Sequence, residues 1–281
     1  MVDNKLNYPR FSVLMSVYKK ENPSFLDEAL KSVENQTVVP QQIVIVEDGK
    51  LTAGLNEVLE THKKFFEGDF TVIKSIENRG LGLSLRLGTR FVKNDWIARM
   101  DSDDIASPKR FELQLDKIVN DANLVLVGGQ IDEFEGDINN ITGFRSVPTS
   151  DVEIREFLKW RNPFNHPTVM IKKEVLENVG GYEGKGKLED YFLWAKIISS
   201  GYEVSNLPEI LVHMRTDAGM YSRRGDLKNL KYILNLRNYL RKLGIISITQ
   251  MIAGDVIMIS NVIIPSTLRE KIYKRFLHKG A

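Results

Sequence analysis

Ile43-Val44-Ile45-Val46-Glu47-Asp48-Gly49 decides how this chain folds. An unbroken β-branched apolar run is the pattern of a parallel strand buried on both faces. It stops at two acids and a glycine, so the end of the strand delivers carboxylates to a turn. Upstream, Phe11 to Tyr18 reads as another buried strand. Between the two, Leu26, Ala29, Leu30 and Val33 form a helical stripe, with Ser24 expected as N-cap and Asp27 as its capping-box partner. Downstream, Leu55, Val58 and Leu59 predict a second helix, and Phe70 to Ile73 a third strand. Asn78-Arg79-Gly80-Leu81-Gly82 is a loop, with a helix through Leu85 to Phe91. Such alternation predicts an α/β fold with a mostly parallel central sheet.

A fourth strand, Trp96-Ile97-Ala98-Arg99-Met100, runs into Asp101-Ser102-Asp103-Asp104. In an extended chain residues i and i+2 point the same way, so Asp101 and Asp103 share one direction. Two like charges that close are tolerable with a cation between them, and Mg²⁺ or Mn²⁺ bridging to phosphate oxygens suits the pair. A solvated acidic turn capping the next helix is the alternative reading of the same residues. Ligands of open α/β sheets bind beyond the carboxyl ends of the strands, and both Asp48 and Asp101 stand at such ends.

Ser107-Pro108 is expected to open another helix, with Phe111, Leu115 and Ile118 toward the core. Leu124 to Gly129 is a further strand, Ile131 to Val147 a weakly patterned β excursion, Pro167 to Ile171 a strand, and Lys173 to Val179 a short helix. Glu189 and Asp190 open a helix carried by Tyr191, Trp194, Ala195 and Ile198. From Tyr221 onward, twelve Lys/Arg face only Asp226, Asp255 and Glu270, although the whole chain carries a net charge of +2. Asp226 to Leu243 is expected to be a basic helix. Ile245 to Pro265 is apolar enough to raise the question of a membrane span, but a central Asp255 would cost ~3 kcal/mol in a bilayer. The expectation is a helix in the membrane interface or packed on the body. Arg269 to Lys279 mixes basic and apolar residues in a way that suits an anionic membrane surface.

With 281 residues, 42% hydrophobic and 27% charged, the chain has room for one large domain with an appendage. Cysteine is absent, which excludes disulfides and thiolate metal sites. Met1-Val2-Asp3-Asn4-Lys5 lacks the apolar core of a signal peptide, so a cytoplasmic location is expected.

An ordered set of short motifs now spans Phe11 to Arg224: the Ser16-Val17-Tyr18 strand end, Gln36-Thr37, Asp48, Asn78-Arg79-Gly80 and Met100-Asp101-Ser102-Asp103-Asp104-Ile105. Pro108 with Arg110, His166-Pro167-Thr168, Gly180-Gly181-Tyr182 and Glu189-Asp190-Tyr191 with Trp194 follow. In this order they resemble the inverting family 2 glycosyltransferases of the GT-A fold. The resemblance implies a catalytic domain over residues 1–224, with a nucleotide-binding half to about 130 and an acceptor half to 224. Residues 225–281 form a basic, amphipathic helical tail.

It also implies roles. Asp103 is the metal ligand, and Asp101 contacts the ribose or shares the Mn²⁺ or Mg²⁺. Asp104 is a helix-side hydrogen-bonding residue. Asp48 accepts from a uracil-type base, although Glu47 and Lys50 depart from the commoner Asp-Asp-Gly-Ser pattern. Arg79 and Arg215 are donor-binding candidates, and His213 a candidate third metal ligand. Arg223 and Arg224 could touch phosphate or begin the tail. Asp190 is the candidate base, with Glu189 raising its pKa or binding the acceptor. His166 is placed near the acceptor or in a structural role. The implied reaction moves a hexose such as galactose from a UDP-sugar to a saccharide or lipid-linked acceptor in capsule, O-antigen or exopolysaccharide synthesis. The enzyme would be peripheral at the inner face of the membrane, docked through the tail, with no nucleic-acid partner. Rivals are an Asp-x-Asp phosphatase or mutase, a sugar nucleotidyltransferase, and a catalytically weak membrane-docked binding scaffold. Three strands ahead of the acid pair disfavour the first. The lack of a Gly-rich phosphate loop after Ser16 disfavours the second, and the intact acids the third.

Overall fold

The computed structural model describes residues 8–186, 188–216 and 230–263. The chain opens with β1 (Phe11–Val17), α1 (Pro23–Glu34), β2 (Gln42–Glu47), α2 (Ala53–Phe65), β3 (Asp69–Lys74), α3 (Leu81–Thr89) and β4 (Trp96–Arg99). These four strands are parallel and lie in the order β3-β2-β1-β4. Every residue of β2 is buried, as its continuous apolar run requires. Alternation divides the strands between two cores. Val13, Met15, Ile43 and Ile45 face α1 and the later helix α4 (Arg110–Asn120), through Leu26, Leu30, Phe111 and Leu115. Leu14, Val44, Val46 and Ile97 face α3 and the helix α7 (Glu189–Ser199).

After the acid pair come β5 (Ile105–Ala106), α4, β6 (Leu124–Phe134), β7 (Ile141–Arg145), α5 (Asp151–Leu158), a 3₁₀ turn (His166–Thr168), β8 (Met170–Lys172), α6 (Lys173–Asn178), α7 and β9 (Glu203–Arg215). Here the sheet becomes mixed. β8 lies between β4 and β6, antiparallel to both. β6 pairs in parallel with β9 and antiparallel with β7, and β5 is antiparallel to β9. The parallel expectation therefore holds for β1 to β4 and gives way beyond them.

Two caps differ from expectation. Asn22, not Ser24, caps α1, because its side chain accepts from the Ser24 N–H at 3.0 Å. Ser107 and Pro108 form a turn ahead of α4, which begins at Arg110.

Within the described tail, α8 (Leu230–Lys242) and α9 (Ile248–Ile263) form a hairpin. Leu236, Leu240 and Ile246 are buried in the core that holds α7. Arg237, 1% exposed, is held by the carbonyls of Lys159 at 2.5 Å and Gln250 at 2.6 Å. One side of the hairpin is thus packed on the body. On α9, Ile248, Ile252 and Val256 are exposed, an apolar line at four-residue spacing. No helix among the described residues is long and apolar enough to cross a membrane. Arg223, Arg224 and the segment Arg269 to Lys279 lie outside the described residues.

One close approach sets the seat of α3. A Cβ on Gly88 would come within 2.4 Å of the Leu14 side chain and 2.8 Å of that of Val46, both fully buried. Gly88→Ala is therefore expected to lower stability by ~1–3 kcal/mol through overpacking, read as a drop in the urea midpoint at unchanged slope.

Candidate active site

The ends of β1, β2 and β4 converge on one cleft of about 570 Å³. Ser16, Tyr18 and Glu21 line it from the end of β1, Asp48 from β2, Asn78 and Gly80 from the loop ahead of α3, and Asp101 and Asp103 from β4. This is the carboxyl edge of the parallel strands, where such sheets bind ligands.

Asp48 is 4% exposed, and each of its carboxylate oxygens accepts one backbone hydrogen bond. Its Oδ1 accepts from the backbone N–H of Arg79 at 2.7 Å, and its Oδ2 from that of Gly80 at 3.0 Å. Asn78 donates to the Asp48 carbonyl at 3.2 Å. Gly49 adopts φ +85°, and a Cβ there would meet the Asn78 nitrogen at 3.0 Å, so this turn demands glycine. Arg79 serves here through its backbone; its guanidinium is more than half exposed, 4.0 Å from Glu77.

The acid pair is electrostatically loaded. Asp101 is gripped by the buried guanidinium of Arg99, two residues earlier on the same side of the strand. Burial and the neighbouring Asp101 push Asp103 up to about 6. Burial and Asp103 push Glu21, across the cleft, up to about 7. Asp104 is 2% exposed and pushed up by burial; its Oδ1 accepts from the Arg215 N–H at 2.9 Å, so it braces β9 rather than a helix. A donor set made only of oxygens, with burial and like charge raising Asp103, fits a hard divalent cation. Among the described residues no three acids or histidines are arranged as a complete metal site, so such a cation would draw further ligands from a diphosphate and water.

Two expected residues lie elsewhere. His213 has Nδ1 at 2.8 Å from Asp132 and Nε2 at 3.2 Å from the Ser107 hydroxyl. Both ring nitrogens are engaged and the residue does not line the cleft, so a metal at His213 would first have to break one of these contacts. Arg215 stacks between Phe25 and Phe134, donates its Nε to the Asp103 carbonyl at 3.0 Å and pairs with Glu28. It holds the acid loop from behind and is absent from the cleft lining.

The acceptor-side acids open α7. Glu189 is 5% exposed, its Oε2 has no partner among the described residues, and burial with the adjacent Asp190 pushes it up to about 7. It packs on the start of α3, where a Cβ on Gly82 would lie 3.0 Å from its own Cβ. Asp190 is raised by burial; Asn162 donates to its Oδ2 at 2.6 Å and the Tyr191 N–H to its Oδ1 at 2.7 Å. His166 is 3.0 Å from the Tyr182 hydroxyl and edge-on to Trp194; burial and the charge of Arg99 hold its imidazole well below the usual range. Glu21, Arg99 and Asn162 were not singled out from the sequence as site residues. Glu21 had a usable signal, since it stands just past a strand end.

Comparison with known proteins gives the class first and then the family. The chain aligns over 96% of its length, and 81% of the other, with a mannosyltransferase of Pyrobaculum calidifontis solved in complex with GDP-Man and Mn²⁺, at 16% identity and a TM-score of 0.63. That likeness places the fold among the GT-A glycosyltransferases. Residues 12–180 match the family model of glycosyl transferase family 2, and the chain belongs to that family. It is 34% identical, over 96% of this chain and 98% of the relative, to the UDP-Gal:alpha-D-GlcNAc-diphosphoundecaprenol beta-1,3-galactosyltransferase of Escherichia coli. It is 35% identical, over 76% of this chain and 79% of the relative, to the amylovoran biosynthesis glycosyltransferase AmsE of Erwinia amylovora. The protein is a family 2 glycosyltransferase.

Glu189 gives the site a measurable pH signature. Its folded pKa lies above that of the unfolded chain, so the folded state binds the proton more tightly. Stability then falls as pH rises from the ordinary carboxylate value of 4.5 to about 7. Glu189→Gln should flatten this slope of melting temperature between pH 5 and 7.5 in metal-free protein, compared with wild type.

Proposed function

We propose that this enzyme moves a hexose, galactose or a close relative, from a UDP-sugar to a lipid-linked saccharide during synthesis of a bacterial surface polysaccharide, with inversion and with Mn²⁺ or Mg²⁺. The observation that carries the reading is the meeting of Asp48, Asp101 and Asp103 in one cleft, with Glu189 packed beside its wall on α3. The substrate classes are those of the Escherichia coli relative.

Asp48 is the group to meet the base, its carboxylate fixed by two backbone N–H groups. Asp101 and Asp103 would hold the cation, and Asp101 lies nearer the ribose. When bound, the cation neutralises charge on the departing diphosphate. Asp190 is assigned as base. It takes the proton of the acceptor hydroxyl as that oxygen forms its bond to the anomeric carbon, while the bond from that carbon to the diphosphate oxygen breaks. Asn162 aims the carboxylate, and partial burial keeps its basicity high enough for the task. Arg215 supports the acid loop rather than touching phosphate. The chain divides into a catalytic domain to residue 224 and a tail beyond it, with α8 seated on α7 and α9 packed against α8.

Asp190→Asn should leave donor affinity within about twofold and cut transfer by about 10²–10⁴-fold, because it removes the base without disturbing the cleft. In the same assay, wild type should show a Mn²⁺-dependent rise in melting temperature with UDP, which Asp103→Asn loses. Near-normal transfer by Asp190→Asn would remove it as base.

The exposed line of Ile248, Ile252 and Val256 on α9, beside a basic tail, supports docking of the enzyme on the inner, anionic face of the membrane. Because α8 is part of the core, the test is a triple Ser substitution at these positions rather than truncation. Retention on vesicles containing anionic lipid should fall at least about tenfold with an unchanged melting temperature; undiminished retention would exclude this face.

A further inference from the structure

Arg99 has no role in the reaction as described so far, and its placement is unusual. Its side chain leaves β4 on the same face as Ile97, toward the core that holds α7. It is 2% exposed, yet among the described residues its one carboxylate contact is Asp101, through Nη2. Nε and Nη1 are buried with no hydrogen-bond partner among the described residues. A guanidinium so buried is expensive unless its charge is used. Its neighbour Arg110, fully buried, offers no relief. It spends its donors on the Arg99 carbonyl, the Met100 sulfur and Gln114, and the proximity of Arg99, together with burial, pushes it down to about 9.

We propose that Arg99 is a positioning residue shared by the two halves of the site: the guanidinium that orients Asp101 at the donor cleft also supplies the positive field in which Asp190 works as a base. This rests on the assignment of Asp190 made above. Arg99 favours the ionised forms of Asp103 and Asp104 on one side and of Glu189 and Asp190 on the other. It favours neutral His166. Around Asp190 stand Glu189 and Tyr191 on α7, Asn162 after α5 and Tyr182 after α6; Arg161 and Arg237 act on Tyr191. Among the described residues Arg99 is the cation whose charge acts on Asp190 itself, and the contact with Asp101 fixes where it sits. Donor-side order and acceptor-side basicity are then set by one side chain.

The sign follows directly. Removing a positive charge destabilises the ionised acid, so its pKa rises. In R99M the rising limb of the kcat–pH profile, at saturating donor and metal, should move up by about one unit, so that kcat falls about tenfold at pH values below the limb and regains the plateau above it. R99K keeps the charge but lacks the fork, so the limb should stay within about 0.3 unit of wild type while the donor KM rises. An unmoved limb in R99M, with the entire loss in donor KM, would overturn the proposal and leave Arg99 as a prop for Asp101 alone. If R99M fails to fold, as judged by its thermal transition, R99Q removes the same charge while keeping a polar head: its limb should move up as in R99M, and a limb that stays in place overturns the proposal. D190N separates this from the underlying assignment. A rising limb that survives in D190N unseats Asp190 as base; a limb lost in D190N but unmoved in R99M unseats only the role of Arg99.

Discussion

Like charges gathered at the end of a parallel sheet are the constraint around which this protein is built. Glu21, Asp48, Asp101 and Asp103 line one cleft, and Asp104 lies buried behind it. Water would normally screen such a group; here burial raises Glu21, Asp103 and Asp104 toward their neutral forms. The chain answers with fixed donors. Backbone N–H groups from the α3 loop hold Asp48, Arg99 holds Asp101, and the backbone of Arg215 holds Asp104. Each device is weak alone and depends on the sheet register that brings β1, β2 and β4 together. The residual imbalance is what a divalent cation and a diphosphate can share.

The two arginines near the acid loop divide this labour differently from what their positions along the chain suggest. Arg215, at the end of β9, is spent on aromatic rings, a carbonyl and Glu28. Its planar fork suits that bracing as well as it would suit phosphate. Arg99, inside an apolar strand, carries two nitrogens with no partner among the described residues. Bracing therefore lies at the rim, and the free field lies in the interior, between the donor acids and α7.

Much of this was legible in the sequence where a pattern extends over several residues. The run Ile43–Val46 gave away a doubly buried strand, and the ordered acids at Asp48, Asp101, Asp103 and Asp190 gave away the family. What escaped was short or depended on distant partners. β5 and β8 have two and three residues, too few to show a period, so the turn to a mixed sheet was hidden. β9 was obscured by Glu203, Asn206, Pro208 and Glu209, which interrupt its apolar pattern. His213 looked available because nothing in its neighbourhood along the chain predicts Asp132 and Ser107 as partners; these come from β6 and the turn before α4. Arg99 passed as one residue of the fourth strand, and only the fold shows that two of its nitrogens are buried without partners among the described residues.

The missing methyl group at Gly88 reaches further than packing. It lets α3 settle onto Leu14 and Val46, and the other end of that short rigid rod begins one residue after Gly80, whose N–H holds Asp48. The rod therefore acts as a gauge. The seat of the loop that holds Asp48 at the β2 rim is calibrated from the far end of a helix, by how closely its backbone can lie on β1 and β2. Nucleotide fit in such a cleft is in part a matter of helix seating, and can be retuned from a position that touches no ligand.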